Sequence, residues 1–533
     1  MRRFNSYGPI NTNVHYYSPR KELIARAFTQ LVGENPSEDG HYITVWAPRQ
    51  TGKTWVMQEI LFQLKKDPRF DALKINLESL KNETDSEVII QTITEEIGQG
   101  LNKTFTGINT QQQFQKIFKR DVLDKPLILI LDEFDALSEK GINTIVSAFR
   151  NIYISRTDER DKSTEQKTYL LHAVALIGVR SVLGIENEKG SPFNVQRSIH
   201  ISNLTFEEVK GMFQWYEKES GQAIEPAVVE KLYKETAGQP GLTCWLGELL
   251  TEGFEDYRVD KSRPISLRDF DIVYAAATYA LPNNTILNII SKANQEPNKT
   301  FVFDMFRTNE RLEFKFDNKI INALYMNGIA DKEVVDQTQY YIKFSSPFVQ
   351  KRLFNYFSYE MFRQMGTLVE PFANLDEVIT DTDLNIKNLL GLYQQYLGKN
   401  KEWLFKEAPR RNDLKIYEAV YHFNLFSYLD EFLREKGGRV VPEFPTGNGK
   451  IDLLIKYKGK QYGIELKSYK DQPGYKMALK QAALYGKRLG LGEVFLSVFV
   501  EVIDEKSRAK YEVDYLDDEI GVWVKPVFIA TGN

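Results

Sequence analysis

Ala47-Pro48-Arg49-Gln50-Thr51-Gly52-Lys53-Thr54 follows an apolar run, 42–46, and opens a segment with helical patterning. A strand, a short loop with Gly-Lys-Thr, then a helix is the context of a phosphate-binding loop. Loop N–H groups and the helix N-terminus present donors and a positive dipole end to phosphate oxygens. Gly52 lets the backbone approach a phosphate closely, Lys53 reaches the β- and γ-phosphates, and Thr54 ligates Mg²⁺. Ala47 stands where the strict pattern has Gly.

The next informative stretch is Leu127-Ile-Leu-Ile-Leu131, followed by Asp132-Glu133. A buried apolar strand here delivers two carboxylates at its C-terminal end, where open α/β sheets bind ligands. Asp132 is expected to hold the Mg²⁺ shell and Glu133 to activate water as a general base. Strands are predicted at about 42–46, 72–77, 127–131, 171–178 and 198–202 with helices between them, which means a parallel sheet covered by helices. Ser18-Pro19-Arg20 predicts a helix start with Ser as N-cap, and Leu23, Ile24, Ala27, Phe28 and Leu31 share one face. Thr205-Phe-Glu-Glu208 is a capping box opening a helical region, 205–253.

These features resemble the AAA-like and STAND-type P-loop ATPases over about residues 15–255. The resemblance rests on Pro48–Thr54, Leu131-Asp-Glu-Phe-Asp135, Ile177-Gly178-Val179-Arg180 and Gly238-Gln239-Pro240. It implies an ATP site that includes Ala47, Gln50 and Thr51, with Arg180 at a sensor position near the γ-phosphate and Pro240 near the adenine. Arg150 and Arg156 are the candidates for a trans-acting arginine finger, but both are expected on a helical surface, where salt bridges are the commoner use. In such ATPases a winged-helix unit often follows the lid, and residues 281–357 resemble one. The sequence predicts helices at 285–293 and 318–327, two short strands at Ile329 and 340–344 flanking a polar loop, and a helix at 347–357. The helix Asn318–Asn327 carries one basic residue, which favours a switching or packing role over DNA reading. Arg307, Arg311, Lys315 and Lys319 keep the DNA reading open.

A second constellation lies near the C-terminus. Asp452 begins a strand, and Glu465-Leu466-Lys467 comes thirteen residues later in the next one. Strand alternation puts Glu465 and Lys467 on one face. Tyr457-Lys-Gly-Lys460 is a tight turn, so the two strands form a hairpin and Asp452 and Glu465 can converge. Such carboxylates, with a backbone carbonyl, suit Mg²⁺ or Mn²⁺. Lys467 can orient the metal-bound water or stabilise developing charge on a phosphorus centre. Glu418 sits upstream on a helix, and Gln481 and Tyr485 are one helical turn apart downstream. Ten Lys or Arg against three Asp or Glu fill 450–488, whereas 501–519 holds eight acids and three bases. The order resembles the PD-(D/E)xK nuclease superfamily over about residues 410–503, with the Gln-x-x-x-Tyr pair of its RecB-like branch. That resemblance makes Asp452 and Glu465 metal ligands and Lys467 the catalytic base or stabiliser. It makes Glu418 either a further metal residue or a residue that supports the ligands, and Gln481 and Tyr485 residues that position the substrate or the metal site. Lys450, Lys470, Lys476 and Lys480 are the expected phosphate contacts; Tyr469 and Tyr475 are expected first as packing residues, with stacking on bases as the alternative for a single-stranded substrate.

Composition fits this reading. The 533 residues are 42% hydrophobic and 27% charged, with net charge −4, which excludes a disordered chain and a uniformly basic coat. No apolar run approaches a membrane span, and no apolar stretch follows Met1-Arg2-Arg3 as in a secretory leader, so the expected compartment is the cytoplasm. Cys244 is the single cysteine, and the five histidines show no metal-ligand spacing.

The expected fold is multidomain α/β: a P-loop core at 1–204, a helical lid at 205–255, a winged-helix-like module at 256–360, a helical connector at 361–409 and a nuclease domain at 410–533. The expected function is an ATP-regulated, Mg²⁺- or Mn²⁺-dependent nuclease acting on nucleic acid, DNA before RNA. A homo-oligomer and a protein trigger are the expected partners, with no membrane. The alternatives are a switch protein whose nuclease fold binds without cutting, a DNA-translocating ATPase, and an RNase, since DNA and RNA present the same phosphates.

Overall fold

Six consecutive buried residues, Leu127–Asp132, make an inner strand of the first sheet, and their side chains divide by period two. Leu127, Leu129 and Leu131 join a core with Ile89, Ile93, Phe114 and Phe149. Ile128 and Ile130 join another with Ile24, Leu31, Val56 and Ile60. A strand apolar on both faces needs helices on both faces, and the chain supplies them. The computed structural model describes residues 1–8, 10–178, 198–306, 311–369, 375–410, 416–443 and 452–532. They form two compact units, Met1–Ala277 and Thr278–Asn533.

In the first unit β1 (Tyr42–Trp46), β2 (Asp71–Asn76), β3 (Leu127–Asp132), β4 (Leu171–Gly178) and β5 (Ser198–His200) lie in the order β2-β3-β4-β1-β5. Every neighbouring pair is parallel. α1 (Lys21–Val32) and α2 (Lys53–Leu64) cover one face; α3 (Ser86–Leu101), α4 (Gln111–Lys116) and α5 (Glu139–Asp158) cover the other. α6 (Phe206–Ser220), α7 (Pro226–Thr236) and α8 (Pro240–Thr251) follow as a helical region, and α9 (Leu267–Tyr279) reaches the division between the units. The expected capping box opens α6: Thr205 Oγ1 accepts from Glu208 N at 3.2 Å, and Thr205 N donates to Glu208 Oε2 at 2.8 Å.

Ser18 is not the cap of α1. The helix starts at Lys21 behind Arg20, whose backbone is left-handed (φ 45°). The Ser18 hydroxyl is already engaged, donating to Glu208 at 2.9 Å. The N-terminal arm is ordered by packing: Phe4 and Tyr16 are buried, with the Phe4 ring centroid 4.7 Å from that of Phe213 on α6.

The second unit begins with α10 (Asn284–Ala293), α11 (Asn298–Met305), α12 (Lys319–Met326), an antiparallel pair β6 (Ala330–Val335) and β7 (Gln339–Phe344), and α13 (Pro347–Met361). Two features differ from the sequence reading. α11 is an additional helix, and most of the supposed polar loop is β6, whose charged residues lie on a half-buried strand. α14 (Ile386–Leu404) and α15 (Glu418–Arg434) precede a six-stranded sheet. Its strands are β8 (Arg439–Glu443), β9 (Asp452–Tyr457), β10 (Lys460–Ser468), β11 (Glu493–Val500), β12 (Tyr515–Asp517) and β13 (Val522–Ala530), in the order β12-β13-β11-β10-β9-β8.

β9 and β10 are an antiparallel hairpin, with Lys458 (φ 46°) and Gly459 (φ 81°) as its two-residue turn. Positive φ at both positions matches the right-handed strand twist. β10 then runs parallel to β11, so the chain must cross over, and α16 (Gln472–Leu489) is that crossover. Ala478, Ala482 and Tyr485 of α16 pack with Val494, Leu496, Val498 and Phe528. Val498 therefore faces α16. Its neighbour Phe499 faces the other way, against His422 of α15, with ring centroids 5.4 Å apart. α17 (Glu505–Tyr511), β12 and β13 complete the unit, beyond the last strand expected from the sequence.

Candidate functional site

In the first unit β1 ends at Trp46, and Ala47–Gly52 turn the chain into α2. Gln50 and Gly52 both have left-handed backbones, φ 56° and 87°. At Gly52 an added Cβ would meet nothing within 4 Å, so conformation rather than crowding calls for glycine. Thr51 Oγ1 donates to Pro48 O at 2.8 Å and closes the loop. Lys53 is buried, and its ammonium donates to the carbonyls of Ala47 (2.9 Å) and Pro48 (2.8 Å). Burial brings its pKa down to about 8, although Glu133, Asp135 and Asp132 pull the other way. Thr54, one residue on, is exposed.

Asp132 and Glu133 stand at the end of β3 as the sequence predicts. Asp132 is buried; one oxygen accepts from Glu133 N at 3.1 Å, and the other is 2.8 Å from the Lys74 ammonium of β2. Lys74 was not foreseen, and its signal was its place two residues before the end of the adjacent strand. Glu133 is left-handed (φ 55°) and half-buried. Burial first, then Asp135 and Asp132, raise its pKa, the direction a proton-accepting carboxylate near neutrality requires.

The lid region meets the loop at Pro240. Gly241 N donates to Gln50 O at 3.1 Å, and Gln239 Nε2 to Arg49 O at 3.1 Å. Pro240 thus begins a helix whose first turn is bonded to the loop. Arg180 lies outside the described residues. Arg156 is not on a surface: it is buried, ion-paired to Asp39, and donates to Thr164 Oγ1 at 2.8 Å.

In the second unit the hairpin register sets Asp452 directly opposite Glu465. Both are buried, at 1% and 3% exposure, and Lys467 is 6% exposed with its ammonium 3.7 Å from Glu465. Glu465 and Lys467 register with Leu496 and Val498 and so lie on the α16 face. Neither carboxyl oxygen of Asp452 has a hydrogen-bond partner among the described residues. The Arg488 guanidinium is 3.9 Å away and also lies over the Tyr485 ring, 5.1 Å from its centroid. Burial, then the facing Glu465, raise the Asp452 pKa well above the carboxylate range. The sequence reading missed Arg488, which sits one helical turn beyond Tyr485.

An unsatisfied buried carboxyl beside a second carboxylate is a hard-oxygen donor pair that fits a divalent cation. The fit stops at two carboxylates. Among the described residues no three His, Cys, Asp or Glu side chains come together as a metal-holding group. Glu418 is on α15, which packs by its His422 against Phe499, on the side opposite α16. Its Oε2 is buried without a hydrogen-bond partner, as are both ring nitrogens of His422, whose pKa burial lowers to about 3. Gln481 is half-buried and Tyr485 buried, both on α16. Lys470, Lys476 and Lys480 are exposed, and the last two make no ion pair among the described residues. Lys450 lies outside the described residues. Tyr475 is held in packing, its hydroxyl donating to Tyr511 O at 2.6 Å. No helix among the described residues is long and apolar enough to cross a membrane.

No curated protein matches the chain. Among solved structures, a Walker-type ATPase of Pyrococcus abyssi is similar at 14% identity and TM-score 0.41, covering 66% of this chain and 99% of its own. Cdc6p of Pyrobaculum aerophilum is similar at 15% identity and TM-score 0.37, covering 64% and 94%. Likenesses this loose bear on no individual residue. Residues 6–251 match the family model of an AAA-like domain, and the first unit therefore carries an AAA-like P-loop ATPase domain, a type that uses a nucleotide and Mg²⁺.

Proposed function

We propose that the chain is an ATP-controlled, metal-dependent nuclease, with the nucleotide held in the first unit and phosphodiester bonds cut in the second. One observation carries the nuclease reading. Asp452 and Glu465 are buried face to face across a hairpin, Asp452 has no hydrogen-bond partner among the described residues, and Lys467 is beside them. A purely structural site would not bury two carboxylates together, because their repulsion and desolvation oppose folding.

In this reading the first unit binds ATP through the loop N–H groups and Lys53, which exchanges its two carbonyl partners for phosphate oxygens. Thr54 and Asp132 would hold Mg²⁺, with Asp132 released from Lys74. Glu133 takes the proton of the attacking water. Arg180 is proposed as the sensor. In the second unit Asp452 and Glu465 would hold Mg²⁺ or Mn²⁺, which when bound polarises the phosphodiester and lowers the pKa of its water. The Lys467 ammonium orients that water and offsets charge gathering on the phosphate oxygens. Lys470, Lys476 and Lys480 hold flanking phosphates. The helices and hairpin between α10 and α13 are read as a winged-helix switch, and 410–533 as the PD-(D/E)xK domain.

The test is cutting of plasmid, linear and single-stranded DNA and of RNA, in Mg²⁺ or Mn²⁺, with and without ATP. Activity lost in Lys467→Ala, and ATP-responsive only while Lys53 is intact, is the expected outcome. Metal-dependent cutting that survives Lys467→Ala undiminished would remove the proposed site.

A further inference from the structure

Between the end of β10, the loop that follows it and the first half of α16 lies a cavity of 300 Å³. Lys467, the residue beside Glu465, lines it together with Val498, so the cavity opens next to the proposed cutting site. Tyr469, Tyr475 and Met477 give it an aromatic and apolar lining, and Gln481 adds an amide that makes no hydrogen bond among the described residues. The lining is fixed before anything binds. Tyr475 is tied to Tyr511 O, and Asp471 Oδ1 accepts from Gly474 N at 2.7 Å, holding the loop against the start of α16. Met477, by contrast, is 62% exposed, an apolar side chain left in water beside the cavity.

We propose that this cavity is a subsite for one unpaired nucleobase adjoining the cut phosphate, so that the second unit selects single-stranded or frayed nucleic acid over intact duplex. The proposal rests on the nuclease reading of Asp452, Glu465 and Lys467. Its volume is at the lower end of ligand cavities, roughly 300–1,000 Å³, and has room for one planar ring system. Aromatic and apolar surface beside an amide is how unstacked bases are held, by their faces and by their edges. The exposed Lys476 and Lys480 of α16 are placed for the backbone of the same strand. A base inside a duplex has both faces covered and its edge paired, so it enters only after unstacking.

The test uses full-length protein with Glu465→Gln to block cutting, and measures binding of a fluorescent single strand and of its blunt duplex. The expected result is single-strand binding roughly tenfold tighter than duplex binding, with the ratio brought close to one by Met477→Ala and by Gln481→Ala. Met477→Ala is a change at an exposed side chain and leaves folding intact. Equal affinity for both forms, or a preference unmoved by both variants, overturns the base subsite. Cutting by the otherwise unchanged protein is read in parallel. Equal cutting of strand and duplex overturns the subsite and leaves the nuclease standing. A single-strand preference without metal-dependent cutting overturns the nuclease reading and leaves a base-binding site. Binding of neither form overturns both.

Discussion

Lys53 is buried with its ammonium on two backbone carbonyls, whereas Asp452 is buried with neither carboxyl oxygen hydrogen-bonded among the described residues. The first charge is parked on its own loop, and its pKa is drawn down to about 8. The second is opposed by a like charge across the hairpin, and its pKa is driven up. Each departs in the direction a ligand of opposite charge would reverse: phosphate for the lysine, a divalent cation for the carboxyl pair. The two sites differ in what holds them. The loop is six residues of local backbone, and Lys53 can change partners without disturbing the sheet. The carboxyl pair is made by strand register, and it persists as long as the sheet does.

Four measurements put that contrast to the test. The largest effect is expected at Lys467: replacing it with Ala should lower metal-dependent cutting by about 10²–10³-fold, read as initial rate at saturating metal. A loss confined to metal affinity would move Lys467 from chemistry to metal support.

Next, Asp452→Asn should abolish cutting yet stabilise the second unit by ~1–3 kcal/mol, because it removes a desolvated, repelled charge. A raised folded pKa means the charged form opposes folding. The gain should therefore be largest above the raised folded value, shrink as pH falls, and vanish below the ordinary carboxylate range near ~4. Denaturant unfolding at pH 7 and at acid pH reads this, and a destabilised variant would show that Asp452 is satisfied in solution.

Third, ATP affinity should fall as pH rises through about 8, where unliganded Lys53 loses its proton. Phosphate holds that proton on, so binding takes one up above this pH, and Kd at pH 9 should exceed that at pH 7 by about tenfold. Calorimetry in buffers of different ionisation enthalpy counts the proton, and a flat profile would mean that Lys53 stays charged throughout.

The smallest effect belongs to Gln239→Ala, which removes the amide bond to Arg49 O. It should shift ATP binding by only ~0.5–1.5 kcal/mol, and the same titration measures it.

How much of this was visible beforehand follows from the same contrast. The phosphate loop and the carboxylates after β3 are local patterns, and the structure places them where their order predicts. The hairpin was legible because Lys458-Gly459 is a short-range turn signal that also fixes which residues face each other. What escaped depends on contacts far along the chain. Arg488 reaches Asp452 only after α16 folds back over the sheet. Lys74 meets Asp132 only once β2 and β3 pair. β13 carries Pro526, a residue that argues against a strand, yet it pairs in parallel with β11 through its whole length. β6 is charged at Asp331, Lys332 and Glu333 and only half-buried, and such a strand looks like a loop. Ser18 resembles a helix cap until its partner, Glu208, arrives from another helix.

β10 lies inside its sheet, with β9 on one side and β11 on the other. Gly463–Glu465 are therefore flanked by paired strands on both edges, and their hydrogen exchange should require opening of the sheet as a whole. The phosphate loop has no such ladder and can exchange through small excursions. Motion of this kind divides the labour of control. In the proposed nuclease a nucleotide can reshape the loop that holds it, whereas the carboxyl pair can be governed only by admitting or barring what reaches it.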